Sequence, residues 1–207
     1  MNHNFNFKFK YITRQNKPDL HISIAEGEIA QKTIVIVPGI GWHGGFYYPL
    51  LNILRDAGYR AIAVDLRGHG KSKGERGEHL YEELIEDVSD TVTHTISEYG
   101  EDVYLLGTSF GASVAYYAAI KNLKLKGLIL NNAWDINNLP PTINMKRINR
   151  KLDKYSSEPL KMVPLVTMMG IKVSWNLFDN KLEFLTLLRD KLWHKKWSIQ
   201  SWKSFIF

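Results

Sequence analysis

Gly107-Thr108-Ser109-Phe110-Gly111 follows a short apolar run, Val103-Tyr104-Leu105-Leu106, and opens onto a helix-forming segment, Ala112-Ser113-Val114-Ala115-Tyr116-Tyr117-Ala118-Ala119. Strand, sharp turn with a serine at its tip, helix: this is the setting that a Gly-x-Ser-x-Gly nucleophile elbow requires. At such a turn, side chains two before and two after the serine would collide with each other and with the neighbouring strand, so both positions call for glycine. The serine hydroxyl then stands at a helix N-terminus, where N–H groups and the helix dipole favour developing negative charge. Ser109 is the candidate nucleophile, and Gly107 and Gly111 are the elbow glycines.

Upstream, Thr33-Ile34-Val35-Ile36-Val37 is continuous and β-branched, as expected of a strand buried on both faces of a parallel sheet. It runs into a glycine-rich loop, Pro38-Gly39-Ile40-Gly41-Trp42-His43-Gly44-Gly45. Leu50, Leu51, Leu54 and Ala57 recur at helical spacing, and Gly58 is a stop signal. The strand Arg60–Val64 ends in a second glycine-rich loop, Asp65-Leu66-Arg67-Gly68-His69-Gly70-Lys71-Ser72. Leu80, Leu84, Val88, Val92 and Ile96 space a long helix that ends before Gly100, and Gly127–Asn131 reads as a further buried strand. At the N-terminus, Phe5, Phe7, Phe9 and Tyr11 alternate with polar residues, and Asn16-Lys17-Pro18-Asp19 marks a turn before the alternating Leu20–Ile24. These two stretches form an antiparallel hairpin, with His21 on its polar, exposed phase. Alternating strands and helices after a hairpin give an α/β fold with a mostly parallel sheet. The glycine-rich loops fall at the C-terminal ends of its strands, where such sheets place ligands.

The 207 residues suffice for one substantial core, and the absence of cysteine excludes disulfides, thiolate metal sites and a cysteine nucleophile. No histidine–carboxylate cluster has metal-ligand spacing, so neither metal nor cofactor is expected. No apolar run reaches the length of a membrane span and the N-terminus has no secretory h-region, which points to a cytoplasmic protein with no transmembrane segment. The net charge of +6 is uneven: the segment from Pro141 onward carries +8 and the first 140 residues −2. A basic C-terminal third suits transient contact with an anionic lipid surface or an acidic substrate, and equally a solvated, lysine-rich face. Nothing in the chain points to nucleic acid.

Three landmarks together carry a resemblance. They are the loop Pro38–Tyr47, similar to a His-Gly-x-Gly-x-His oxyanion loop, the turn Asp65–Gly74, close to Asp-x-Arg-Gly-His-Gly-x-Ser, and the Ser109 elbow. Residues from Thr33 to Ala133 resemble the α/β-hydrolase fold, and within it the monoacylglycerol lipase/lysophospholipase branch of serine aminopeptidase S33-like hydrolases. The resemblance implies an antiparallel N-terminal hairpin followed by parallel strands, with a core over residues 1–135 and a helical cap over residues 136–207. It implies a serine hydrolase of carboxylic esters, with monoacylglycerol or lysophospholipid as the small lipid substrate. Ser109 would form an acyl-enzyme, held by the backbone N–H groups of Ile40 and Phe110 as oxyanion hole. Pro38 stands where the family usually has histidine; this removes a side-chain contact and leaves the Ile40 N–H in place. His69 would brace its turn.

The family orders its triad Ser, Asp, His. Neither the Gly-x-x-Asp turn nor the terminal histidine is found, so the resemblance covers about the first three quarters of a family member, with the last strands missing. Asp135, His43 and His194 are the remaining acid or base candidates, although His43 equally suits loop packing and His194 an exposed position. His79 and His94 are expected on a helix surface, and Asp65 as the anchor of its glycine turn. Three readings stay open: an ester hydrolase, a truncated or non-catalytic binding protein of the same fold, and an S33-like peptidase. The truncated reading would leave Gly127–Asn131 as an unprotected sheet edge.

Overall fold

The computed structural model describes residues 7–121, 124–133, 150, 152–154, 156–164 and 189–206. In chain order come β1 (Lys8–Ile12), β2 (Leu20–Glu26), β3 (Thr33–Val37), a short 3-10 turn (Gly44–Tyr47), α1 (Tyr48–Asp56), β4 (Arg60–Val64), α2 (Tyr81–Tyr99), β5 (Val103–Thr108), α3 (Phe110–Ile120) and β6 (Gly127–Asn131). They are followed by β7 (Met162–Pro164), β8 (Lys196–Ser198) and α4 (Ile199–Ile206).

The first six strands form one sheet in the order β1-β2-β4-β3-β5-β6. The hairpin β1–β2 is antiparallel and joins β4 antiparallel, while β4, β3, β5 and β6 run parallel. The continuous β-branched run of β3 explains its central place. Val35 and Val37 pack toward α2 and α3, whereas Ile34 and Ile36 pack toward Leu51 of α1. With both faces covered by helices, neither phase of the strand can be polar. α3 is apolar over most of its circumference because it lies against the sheet, with Val114, Ala115 and Ala118 fully buried.

Three sequence expectations are corrected. His21 is buried, not exposed, because it pairs with the carboxylate of Asp65. Phe9 and Tyr11 of β1, each 51% exposed, set their rings against His21 at the sheet margin. β6 pairs only with β5 among the described residues, so Ile129 and Leu130 are 44% and 40% exposed instead of buried. His79 is buried in the turn before α2, and His94 is half-buried on that helix.

Most of the expected cap helices, 144–155 and 181–193, lies outside the described residues. Within the expected helical cap, residues 136–207, the structure instead shows the antiparallel pair β7–β8. The segment from Asp190 to Ser204 docks on the core through backbone groups. His194 N–H donates to Gly41 O at 2.8 Å, and Ser198 N–H donates to Gly77 O at 2.8 Å. Trp197 is fully buried against the rings of His79, Phe110 and Trp202. This docking buries His194, against the exposed position that its Trp193-His194-Lys195-Lys196 setting suggests.

Candidate active site

The elbow is built as its glycines require. Ser109 has φ 55° and ψ −120°, a left-handed conformation for a residue that carries a side chain. Such a conformation costs on the order of 1–3 kcal/mol and persists only where the surroundings enforce it. Here the Ser109 N–H donates to Asn131 O of β6 at 2.8 Å, and Ala112 N–H donates to Ser109 O at 2.9 Å. A Cβ on Gly107 would overlap the backbone of Gly111 and Ala112, and one on Gly111 would overlap the carbonyl oxygens of Val37 and Pro38. The turn can therefore close only with glycine at both places.

The loop after β3 lies beside the serine: a Cβ on Gly39 would sit 3.7 Å from Ser109 Cβ. Gly39 N–H donates to the Tyr47 hydroxyl at 3.2 Å, and Trp42 N–H donates to Gly39 O at 3.0 Å. Burial pushes the Tyr47 hydroxyl pKa up, so it stays protonated in this pocket. Gly41 has φ 72°, which lets the loop reverse directly after Ile40. Ile40 is half-buried and packs against the main core, and Phe110 heads α3 with its ring fully enclosed. The loop and the head of α3 thus stand on either side of Ser109.

His43 lies next to this loop but is fully engaged. Gly45 N–H donates to its Nδ1 at 3.1 Å, which places the proton on Nε2, and Nε2 sits 3.0 Å from Asp190 Oδ2. Neither nitrogen keeps a lone pair for a serine proton. Burial alone would raise the Asp190 pKa, but the His43 hydrogen bond and the Leu192 N–H outweigh it and hold the carboxyl below its usual range. Nothing in the spacing of Asp190-Lys191-Leu192-Trp193-His194 marked Asp190, and this pair is visible only in three dimensions.

His194 joins His69 and His79 in a buried cluster. Ring centroids are 4.5 Å apart for His69–His194, 5.3 Å for His69–His79 and 6.2 Å for His79–His194. His69 Nδ1–H donates to Arg67 O at 2.9 Å, whereas both ring nitrogens of His79 and of His194 lack a hydrogen-bond partner. Among the described residues no histidine is hydrogen-bonded to Ser109. Asp135 lies outside the described residues.

Residues 28–206 match the family described as serine aminopeptidase, S33. The chain belongs to that hydrolase family. A monoglyceride lipase homolog of monkeypox virus is 34% identical over 96 residues, covering 44% of this chain and 34% of the viral protein. The monoglyceride lipase of Rattus norvegicus is 27% identical over 172 residues, covering 70% of this chain and 55% of its own length. This chain therefore spans about a third to a half of those two relatives. Among solved structures, a soluble variant of the Saccharomyces cerevisiae monoglyceride lipase superposes with a TM-score of 0.77 at 15% identity, over 99% of this chain and 70% of that one. A carboxyl esterase from Bacillus coagulans gives 0.70 at 19% identity, over 97% and 71%. These likenesses establish the α/β-hydrolase fold for the chain.

Proposed function

We propose that this S33-family member hydrolyses carboxylic esters through an acyl-enzyme on Ser109, with a monoacylglycerol or lysophospholipid as substrate. The strained backbone of Ser109, held between β5 and α3 by two glycines that admit no side chain, is the observation that carries this reading. Ser109 Oγ attacks the acyl carbonyl, the alcohol leaves, and water releases the fatty acid. The oxyanion lies between the N–H groups of Ile40 and Phe110, whose elements flank the serine. Each such donor is worth roughly 3 kcal/mol in the transition state. Leu160 and Met162, 57% and 36% exposed, offer apolar contacts within the basic segment from Pro141 onward, whose net charge of +8 supplies the cationic ones suited to an anionic lipid surface.

A second reading rests on the histidines. His43 is committed to Asp190 and Gly45, and His194 is enclosed with His69 and His79, so neither is placed to deprotonate Ser109. A serine without a base is a poor nucleophile, and a chain that keeps the elbow without one would bind esters without turning them over. Labelling with a fluorophosphonate probe separates the two. The hydrolase reading expects labelling of the wild type and none of Ser109→Ala, together with release of fatty acid from monoacylglycerol. Folded wild-type protein that takes up no more probe than Ser109→Ala would establish the non-catalytic reading.

A further inference from the structure

Asp65 does more than anchor its own glycine turn. It closes β4 with its carboxylate almost wholly buried, and three donors from three parts of the chain converge on it. Gly44 N–H donates to Oδ1 at 2.6 Å, Lys71 N–H donates to Oδ2 at 2.9 Å, and His21 Nδ1–H from β2 donates to Oδ2 at 2.9 Å. A Cβ on Gly44 would come within 3.2 Å of Oδ1 and of Ala63 Cβ, and one on Gly70 would overlap the carboxylate. The carboxylate is thus packed against both glycine-rich loops. Ser72 locks the same corner, accepting the His21 N–H at 2.7 Å and donating its own hydroxyl to Asp65 O.

Gly44 is the first residue of the 3-10 turn that ends at Tyr47. The Tyr47 hydroxyl in turn accepts the N–H of Gly39, the residue beside Ser109 and just before Ile40. We propose that Asp65, clamped by His21, is a positioning residue for the oxyanion step: by fixing Gly44 it sets the Gly44–Tyr47 turn and, through Tyr47, the loop that carries the Ile40 N–H. This rests on the reading of Ser109 as nucleophile and Ile40 as oxyanion donor. An N–H displaced from its place loses transition-state stabilisation while leaving ground-state binding little changed, so the effect belongs in kcat and not in KM.

The test uses Asp65→Asn, which keeps the volume but offers one acceptor oxygen to three donors and sets its amide N–H groups against the others. With a soluble p-nitrophenyl ester, kcat should fall about 10- to 100-fold while KM stays within about twofold, the scale of a misplaced oxyanion donor. His21→Phe keeps an aromatic ring at that place but removes the Nδ1 donor; it should lower kcat by a smaller factor, again at constant KM. The second readout needs no catalysis. Amide hydrogen exchange at Gly44 and Gly39 should quicken at least tenfold in Asp65→Asn, while Val35 and Ile62 in the sheet stay protected. Unchanged exchange at Gly44 and Gly39, or exchange that quickens equally through the sheet, would overturn the positioning role, as would a KM that rises in step with falling kcat. A wild type without Ser109-dependent turnover would instead remove the hydrolase reading, and the exchange data would still decide whether Asp65 holds the loop.

Discussion

Lowering the pH to 5 should destabilise this protein through one buried cluster. His69, His79 and His194 meet where the turn before α2 receives the C-terminal segment, and all three are buried. Burial pushes the His69 pKa down to about 4, against the helping carbonyl of Arg67. Burial, then the neighbouring charges of His69 and Arg67, hold His79 well below the ordinary range. Burial, then His69, His79 and Arg76, do the same for His194. With folded-state pKa values depressed, the unfolded chain binds more protons as pH falls below about 6.5, so folding stability declines there. For His69 the decline levels off only below pH 4 or so. At pH 5 a histidine that stays neutral in the fold but titrates normally when unfolded forfeits about 2 kcal/mol. Three of them approach ~6 kcal/mol, comparable with the whole stability of a marginal domain. The depressed carboxylates, Asp65 and Asp190, act mainly below this window, since their stabilisation is lost only as pH falls through their lowered pKa values. Urea unfolding followed by tryptophan fluorescence reports the effect, because Trp193 and Trp197 lie in the same segment as His194. His79→Leu replaces an imidazole whose two nitrogens have no hydrogen-bond partner. It should recover about 2 kcal/mol at pH 5 relative to its effect at pH 7.5. A stability that changes by less than about 1 kcal/mol between pH 7.5 and 5, or a His79→Leu variant with the wild-type pH dependence, would refute the reasoning.

Two further perturbations test the core around the site. Asp87 is fully buried and accepts from Arg14 Nη1 at 2.7 Å, from Arg67 Nη2 at 2.7 Å and from Arg67 N–H at 2.8 Å. Asp87→Ala leaves two buried guanidinium groups without their shared carboxylate and should cost about 3–5 kcal/mol in urea unfolding at pH 7.5; a loss below about 1 kcal/mol would contradict that account. Gly111→Ala drives a methyl group into the Val37 and Pro38 carbonyls. It should lower the melting temperature by roughly 6–12 °C, the equivalent of about 3 kcal/mol for a chain of this size, and calorimetry measures it directly.

The central elements were legible because their signals are local. β3, β4 and β5 are apolar runs of fixed phase, and their neighbouring helices keep four-residue spacing, so the boundaries hold to within a residue or two. Gly107 is readable for the same reason, since the collision it avoids, with Gly111 and Ala112, lies within five residues of chain, whereas Gly111 is required by the Val37 and Pro38 carbonyls of the neighbouring strand. His21, Asp190 and the three-histidine cluster were not legible. His21 sits on the polar phase of β2 and is buried only because Asp65, 44 residues away, turns back on it. Asp190 meets His43 across 147 residues. Periodicity describes which face of an element is apolar, and it carries no information about which distant side chain will satisfy a buried polar one.

The turn at Ser109 is thus a property of the sequence. Five residues, a strand before and a helix after, already call for a tight turn with the serine at its tip, and the close approach of the β3 end then leaves no room for a side chain at Gly111. What surrounds that serine is a property of the tertiary structure. The packing of β2 on β4 gives Asp65 its buried partner, and the docking of the Asp190–Ser204 segment commits His43 and encloses His194. Those pairings depend on hydrogen bonds between groups far apart in the chain, whose satisfaction becomes compulsory only once water has been excluded.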